Sequence, residues 1–133
     1  MQNAECRMQN AKWGETVKEN QALEMSFEFA VRIVNLYKYL TGECKEYVMS
    51  KQLLRCGTSI GANVAEAQRG QSKADFYAKM CIALKEANEA EYWLKLLHRT
   101  EYLSSTQFDS INTDAAQLLG LLMAICKTTE ARK

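Results

Sequence analysis

SSTQFDSINTDAAQLLGLLMAICK, residues 104–127, is the stretch that decides the fold. Wound at about 100° per residue, Phe108, Ile111, Ala115, Leu118, Leu119, Leu122, Ile125 and Cys126 form one stripe, opposed by Asp109, Thr113 and Gln117. Just ahead of the apolar run stands Ser104 or Ser105 with Gln107 placed to reach back, an N-terminal capping signal. The segment therefore reads as an amphipathic helix from near Ser104 to about Lys127. Such a helix buries its stripe only against further elements, and the chain upstream supplies them as helices.

The third helix opens at Ser72, with Asp75 in the S-x-x-D position of a capping box, and continues to about Arg99. Phe76, Met80, Ala83, Ala87, Ala90 and Leu94 are its core residues. The second spans roughly Lys45 to Arg69 and ends at Gly70, with Met49, Leu53, Cys56, Ile60, Val64 and Ala67 inward. The first runs from about Leu23 to Thr41 and stops near Gly42, a suitable C-terminal glycine. Proline is absent and glycines number only six, so long helices meet little local opposition. Short connections make successive helices antiparallel neighbours. The expectation is an all-α, single-domain, antiparallel up-down-up-down four-helix bundle over residues 23–128. A polar arm (1–22) precedes it and a short tail (129–133) follows. With 133 residues the chain fits one domain and needs no disulfide or metal to hold a core.

Three helices carry more apolar surface than one bundle uses. In the first, Phe27, Ala30, Val31, Val34 and Tyr37 make one face and Phe29, Ile33, Leu36 and Leu40 another. Together they cover about 220°, against the stripe of roughly 100–160° that a bundle helix needs. In the third, Ile82 and Trp93 lie off the core stripe. Phe29, Ile33, Leu36, Leu40, Ile82 and Trp93 are therefore read as contacts between copies of the chain. On the second helix Gly57, Gly61 and Ala65 recur every four residues. Glycine inside a helix costs roughly 1 kcal/mol relative to alanine, so this row implies close approach of another helix backbone.

Beside that row, Gln52, Arg55, Ser59, Asn63 and Glu66 fall within an arc of about 80°. One reading is a groove for an anion, a nucleotide or an RNA backbone. The other is a hydrogen-bond ladder across a helix or subunit interface, in which Arg55 pairs with Glu66 or with a neighbour's carboxylate. The glutamate favours the ladder, because a carboxylate beside the arginine repels a phosphate. Tyr77, Tyr92 and Trp93 with Lys73, Lys79, Lys85 and Lys95 would suit RNA. Asp75, Glu86, Glu89 and Glu91 interleave with them, so they read as a mixed, solvated face.

No constellation identifies a reaction. His98 is the only histidine and lacks the Glu-x-x-His spacing of a bundle di-metal centre; with Glu91 it reads as a boundary polar contact. Cysteines on apolar faces have no base to activate them, and no phosphate-binding glycine motif is present. No catalytic, cofactor-binding or metal-binding residue is expected, and no cofactor. The charge is nearly balanced, 17 basic against 16 acidic residues, which gives no global pull toward nucleic acid or anionic lipid. The five cysteines are odd in number and without a C-x-x-C pair, which points to reduced thiols in the cytoplasm. Neither a signal peptide nor a membrane span is expected.

The block Gln52-Leu53-Leu54-Arg55-Cys56-Gly57-Thr58-Ser59-Ile60-Gly61-Ala62-Asn63-Val64-Ala65-Glu66-Ala67 resembles the signature of the bacterial four helix bundle protein family. These are also called 23S rRNA-intervening sequence proteins, since some are encoded in insertions within large-subunit ribosomal RNA genes. Ser72-x-x-Asp75-Phe76 and the run from Ile82 to Leu94 resemble the family's third helix. The resemblance implies an up-down bundle assembled as a ring-like homopentamer, with no defined activity. The accessory variability determinants of diversity-generating retroelements are similar, but they are strongly basic, whereas this chain has a net charge of +1. The function expected is a non-enzymatic homo-oligomeric scaffold or adaptor acting with itself and with an RNA or protein partner. Direct nucleic-acid binding is the alternative, and a helical-bundle enzyme the second.

Overall fold

Both capping signals form. Gln107 N–H donates to Ser104 Oγ (3.1 Å) and Ser104 N–H to Gln107 Oε1 (2.8 Å), a reciprocal box. Asp75 N–H donates to Ser72 Oγ (3.1 Å), while the Asp75 carboxylate reaches one residue further back, to Gln71 N–H (3.3 Å). A computed structural model describes residues 17–131. They form four helices, α1 (Val17–Gly42), α2 (Met49–Ala67), α3 (Lys73–Arg99) and α4 (Ser105–Ala131), with no strand among the described residues. α2 packs on α1 and α3, α3 on α4, and α4 on α1, leaving α1/α3 and α2/α4 as diagonals. The chain is a single all-α domain, an antiparallel four-helix bundle.

α1 starts at Val17, so residues 17–22 of the expected polar arm are helical, and Ala22 is fully buried. A polar first turn hid this extension from the hydropathy pattern. Likewise Thr129 and Glu130 belong to α4 rather than to a tail. The rest of the expected arm, with Cys6 and Trp13, and residues 132–133 lie outside the described residues.

The largest departure is at the start of α2. Lys45 sits in the left-handed region (φ 56°), and the helix begins at Met49 rather than at Lys45. Gly42 closes α1 without taking that conformation. The α2 terminus is held by Glu46, which the sequence reading missed. Its carboxylate accepts from Val48 N–H (3.0 Å), Met49 N–H (2.9 Å) and Ser50 N–H (2.7 Å), and Ser50 Oγ donates to its carbonyl (2.8 Å). Burial, the strongest influence, pushes this carboxyl up, but the backbone bonds and the Ser50 hydroxyl together hold it below its ordinary value. A depressed folded value contributes stability above the unfolded value near 4.3, and loses it as pH falls through the folded one. Glu46→Gln should therefore lower stability by about 1–2 kcal/mol at neutral pH. It should also flatten the fall in urea midpoint between about pH 6 and about pH 3, where the parent should decline more steeply.

The cores of α2, α3 and α4 are as read: Leu53, Ile60, Val64, Met80, Leu94, Leu118 and Leu122 are all buried to within 1%. On α1 the two apolar faces are the reverse of the expectation. Ala22, Ser26, Phe29, Ile33 and Leu40 face the bundle's own core and Leu36 is half-buried, so Phe29, Ile33 and Leu40 are not available to another copy. Phe27 (66% exposed) and Val31 (42%) are on the outside instead. Length decides between the faces. The buried row repeats every three or four residues from Ala22 to Leu40, while the exposed row is confined to mid-helix.

Candidate functional site: a polar seam and an apolar groove

α2 and α3 meet along a polar outer seam. Arg55 bridges to Glu89 (2.7 Å) and Glu86 (3.4 Å), and Lys79 to Glu66 (2.8 Å). Trp93 Nε1–H donates to the same Glu89 carboxylate (3.1 Å). The bond from Trp93, then that from Arg55, holds the Glu89 carboxyl below its usual range. Conversely, the Glu89 bond raises the Arg55 guanidinium. Of the two partners the ladder reading offered Arg55, the structure gives it a neighbouring helix's carboxylates, Glu86 and Glu89 on α3, while Glu66 pairs with Lys79 of that same helix. Asn63 Nδ2 turns back to Ser59 O (2.9 Å) and Ser59 Oγ (3.0 Å), within α2. Gln52 is exposed, its backbone N–H donating to Val48 O (3.3 Å) and its side chain making no bond among the described residues. One arginine facing two carboxylates leaves the seam net acidic, an arrangement that repels phosphate.

These are surface pairs, with the Arg55 side chain 53% and Glu66 60% exposed, so each is worth about 0.2–1 kcal/mol. The sequence led us to expect coupling between Arg55 and Glu66. Their separate partners predict the opposite. Arg55→Ala and Glu66→Ala should each cost less than about 1 kcal/mol and add within about 0.5 kcal/mol in the double variant. A urea-denaturation cycle checks this, and a larger non-additive term would place the two in one network.

Gly57 and Gly61 face α1 of the same chain. A Cβ on Gly61 would stand 3.2 Å from Ser26 O and 3.4 Å from Ser26 C. One on Gly57 would meet Ile33 Cγ1 at 2.8 Å and Cγ2 at 2.9 Å. Small residues thus bring the two helices together at their crossing. Ala65, the third of that row, is exposed.

On the outer side of this crossing lies a groove of about 700 Å³. Leu23, Phe27 and Ala30 form its α1 wall, and Thr58, Gly61, Ala62 and Ala65 its α2 floor, with Glu24 and Glu28 at the rim. Its surface is mostly apolar, continued along α1 by Val31 and Val34. The α1 residues that the sequence suggested for contact between copies, Phe29, Ile33, Leu36 and Leu40, lie on the other face of the helix. Of the α3 candidates, Trp93 packs against the core and Ile82 remains 40% exposed.

The 23S rRNA-intervening sequence protein family matches residues 18–124. The chain belongs to that family. A solved structure similar to it is a protein of unknown function from the S23 ribosomal protein family of Bacteroides thetaiotaomicron VPI-5482, determined at 1.70 Å resolution. It shares 60% identity, with 84% of this chain and 99% of that chain covered and a TM-score of 0.82. No curated protein matches.

Three reactive groups of this family member, Cys56, Cys126 and His98, have structural surroundings. Cys56 and Cys126 are buried, and burial, the leading cause for both, pushes each thiol up to about 12. A thiol so raised is a poor nucleophile. His98 stacks on Phe108 (ring centroids 4.4 Å apart, planes within 6°), with Nε2 at 3.4 Å from Ser105 Oγ. Among the described residues no group of three or more His, Cys, Asp or Glu side chains is placed to hold a metal ion. No helix among them is long and apolar enough to cross a membrane.

Proposed function

We propose that this family member is a non-catalytic scaffold that self-associates through its α1–α2 groove. The exposed Phe27 carries the reading. An apolar groove of this extent, with an aromatic ring two-thirds exposed beside it, is the kind of surface that a neighbouring molecule covers. Self-association satisfies it without an unknown partner, and the family resemblance favours five copies. The non-catalytic part is supported by the stacking of His98 and the raised thiols of Cys56 and Cys126. Four described cysteines that are all free suit the reducing cytoplasm. Light scattering across micromolar concentrations tests the reading, with a multiple of the chain mass expected. A monomer throughout rejects it.

A second reading, RNA binding, draws on the outward face of α3. There Lys85, Asn88, Tyr92, Lys95 and Arg99 are all exposed and fall within an arc of about 80°. Lys85, Lys95 and Arg99 form no ion pair among the described residues, while Glu86 and Glu89 are turned toward Arg55. Three cations on a single strand predict a slope near −2 in log affinity against log salt. Fluorescence anisotropy with a short single-stranded RNA should show that slope, and Tyr92→Ala should weaken binding by roughly tenfold if a base stacks there.

A further inference from the structure

Two rows of outward residues, on the neighbouring helices α1 and α4, have similar spacings and complementary chemistry. On α1 the row beside the groove reads Glu24, Phe27, Val31, Val34, at intervals of three, four and three. Glu24 and the neighbouring Glu28 form no ion pair among the described residues, and like charges one turn apart repel. A cation from elsewhere would relieve them. On α4 the outward row reads Ala116, Gly120, Met123, Lys127, at intervals of four, three and four. Met123 is 55% exposed, and Lys127 is exposed without an ion pair among the described residues.

Gly120 is the telling residue of this second row. A glycine within a helix is unfavourable relative to alanine. Gly57 and Gly61 are explained by atoms of α1 lying against them, but nothing stands within 4 Å of where a Gly120 Cβ would be. No contact inside the described chain requires a glycine there.

Laid antiparallel, the rows fit turn for turn: Lys127 on Glu24, Met123 on Phe27, Gly120 over Val31 and Ala116 over Val34. The parallel arrangement would set Lys127 against Val34 and leave Glu24 opposite Ala116, so charge selects the antiparallel one. We infer that α4 of one copy lies antiparallel to α1 of the next, along the α1–α2 groove. The contact is heterologous, since each copy contributes two different faces, and such a contact closes into a ring when its rotation permits. This rests on the self-association proposed above and specifies the surface that performs it.

Sedimentation velocity on the full chain tests it with Lys127→Glu, Glu24→Lys and the double exchange. Each single reversal should raise the dissociation constant by about tenfold, and the double should return it to within about threefold of the parent. Gly120→Leu should dissociate the assembly while leaving the far-ultraviolet circular dichroism helical. A parent chain that assembles, with single reversals that do nothing or a double that is no better than either, overturns the docking inference and leaves self-association standing. Gly120→Leu that assembles normally overturns it as well. A monomeric parent removes both.

Discussion

Phe27→Asp should leave the bundle folded and, on the self-association proposed above, yield monomers at micromolar concentrations. The ring is 66% exposed in the isolated chain, so its own fold depends little on it, and a change within about 0.5 kcal/mol in unfolding is expected. Covering a phenylalanine at an interface contributes roughly 1.5–3 kcal/mol per copy. A carboxylate there must instead be desolvated without a partner, beside Glu24 and Glu28, at a cost of several kcal/mol more. The two effects act in the same direction at every contact of a closed assembly. Size-exclusion chromatography with light scattering reads the outcome, and an urea melt of the same sample separates dissociation from misfolding. An oligomer that survives the substitution would remove the groove from the interface.

Gly61→Leu should destabilise the chain itself. Helix propensity alone favours leucine by close to 1 kcal/mol. The site reverses that sign, because the first added carbon would press on the backbone carbonyl of Ser26, a residue with no exposed surface. A backbone cannot swing aside as a side chain tip does, so α1 must move away from α2 along the crossing. Overpacking of this kind costs typically 1–3 kcal/mol. A melting temperature lowered by several degrees is expected, and a raised one would show that the helices separate freely. Gly57 gives a parallel case in which the obstacle is the branched, fully buried Ile33 side chain.

The fold was legible because three of the four helices announce their core by period. Ser104 with Gln107 and Ser72 with Asp75 mark two starts, and the buried rows of α2, α3 and α4 agree with the structure nearly residue by residue. Gly57 and Gly61 stood out in the sequence as well, since a glycine in a helix interior needs a reason. What hydropathy lacked was a sense of direction. α1 is apolar over two faces of similar strength, and nothing in the composition of Phe27 and Val31 against Phe29 and Ile33 says which pair turns inward. The length of the buried row, including the small polar Ser26 opposite Gly61, was the available signal. Salt-bridge partners were hidden for a similar reason. Arg55 and Glu66 share a helix face, but so do the α3 residues opposite, and register across an antiparallel pair is set by the loop between them. Glu46 was missed because a capping acid two residues before the N-cap position resembles any loop glutamate.

The most open side of the bundle is where α1 meets α4. Arg32 spans it, donating to Asp114 Oδ2 (2.6 Å), Ser110 O (3.2 Å) and Ser110 Oγ (2.8 Å). The other three sides join helices that follow one another in the chain, so their contacts form after short loop closures. This side joins the first helix to the last, and the whole intervening chain must be ordered before it can close. Folding should therefore proceed by hairpins, with the α1–α4 side the last to zip. In the native state the same side should be the first to breathe, with Arg32 acting as its latch.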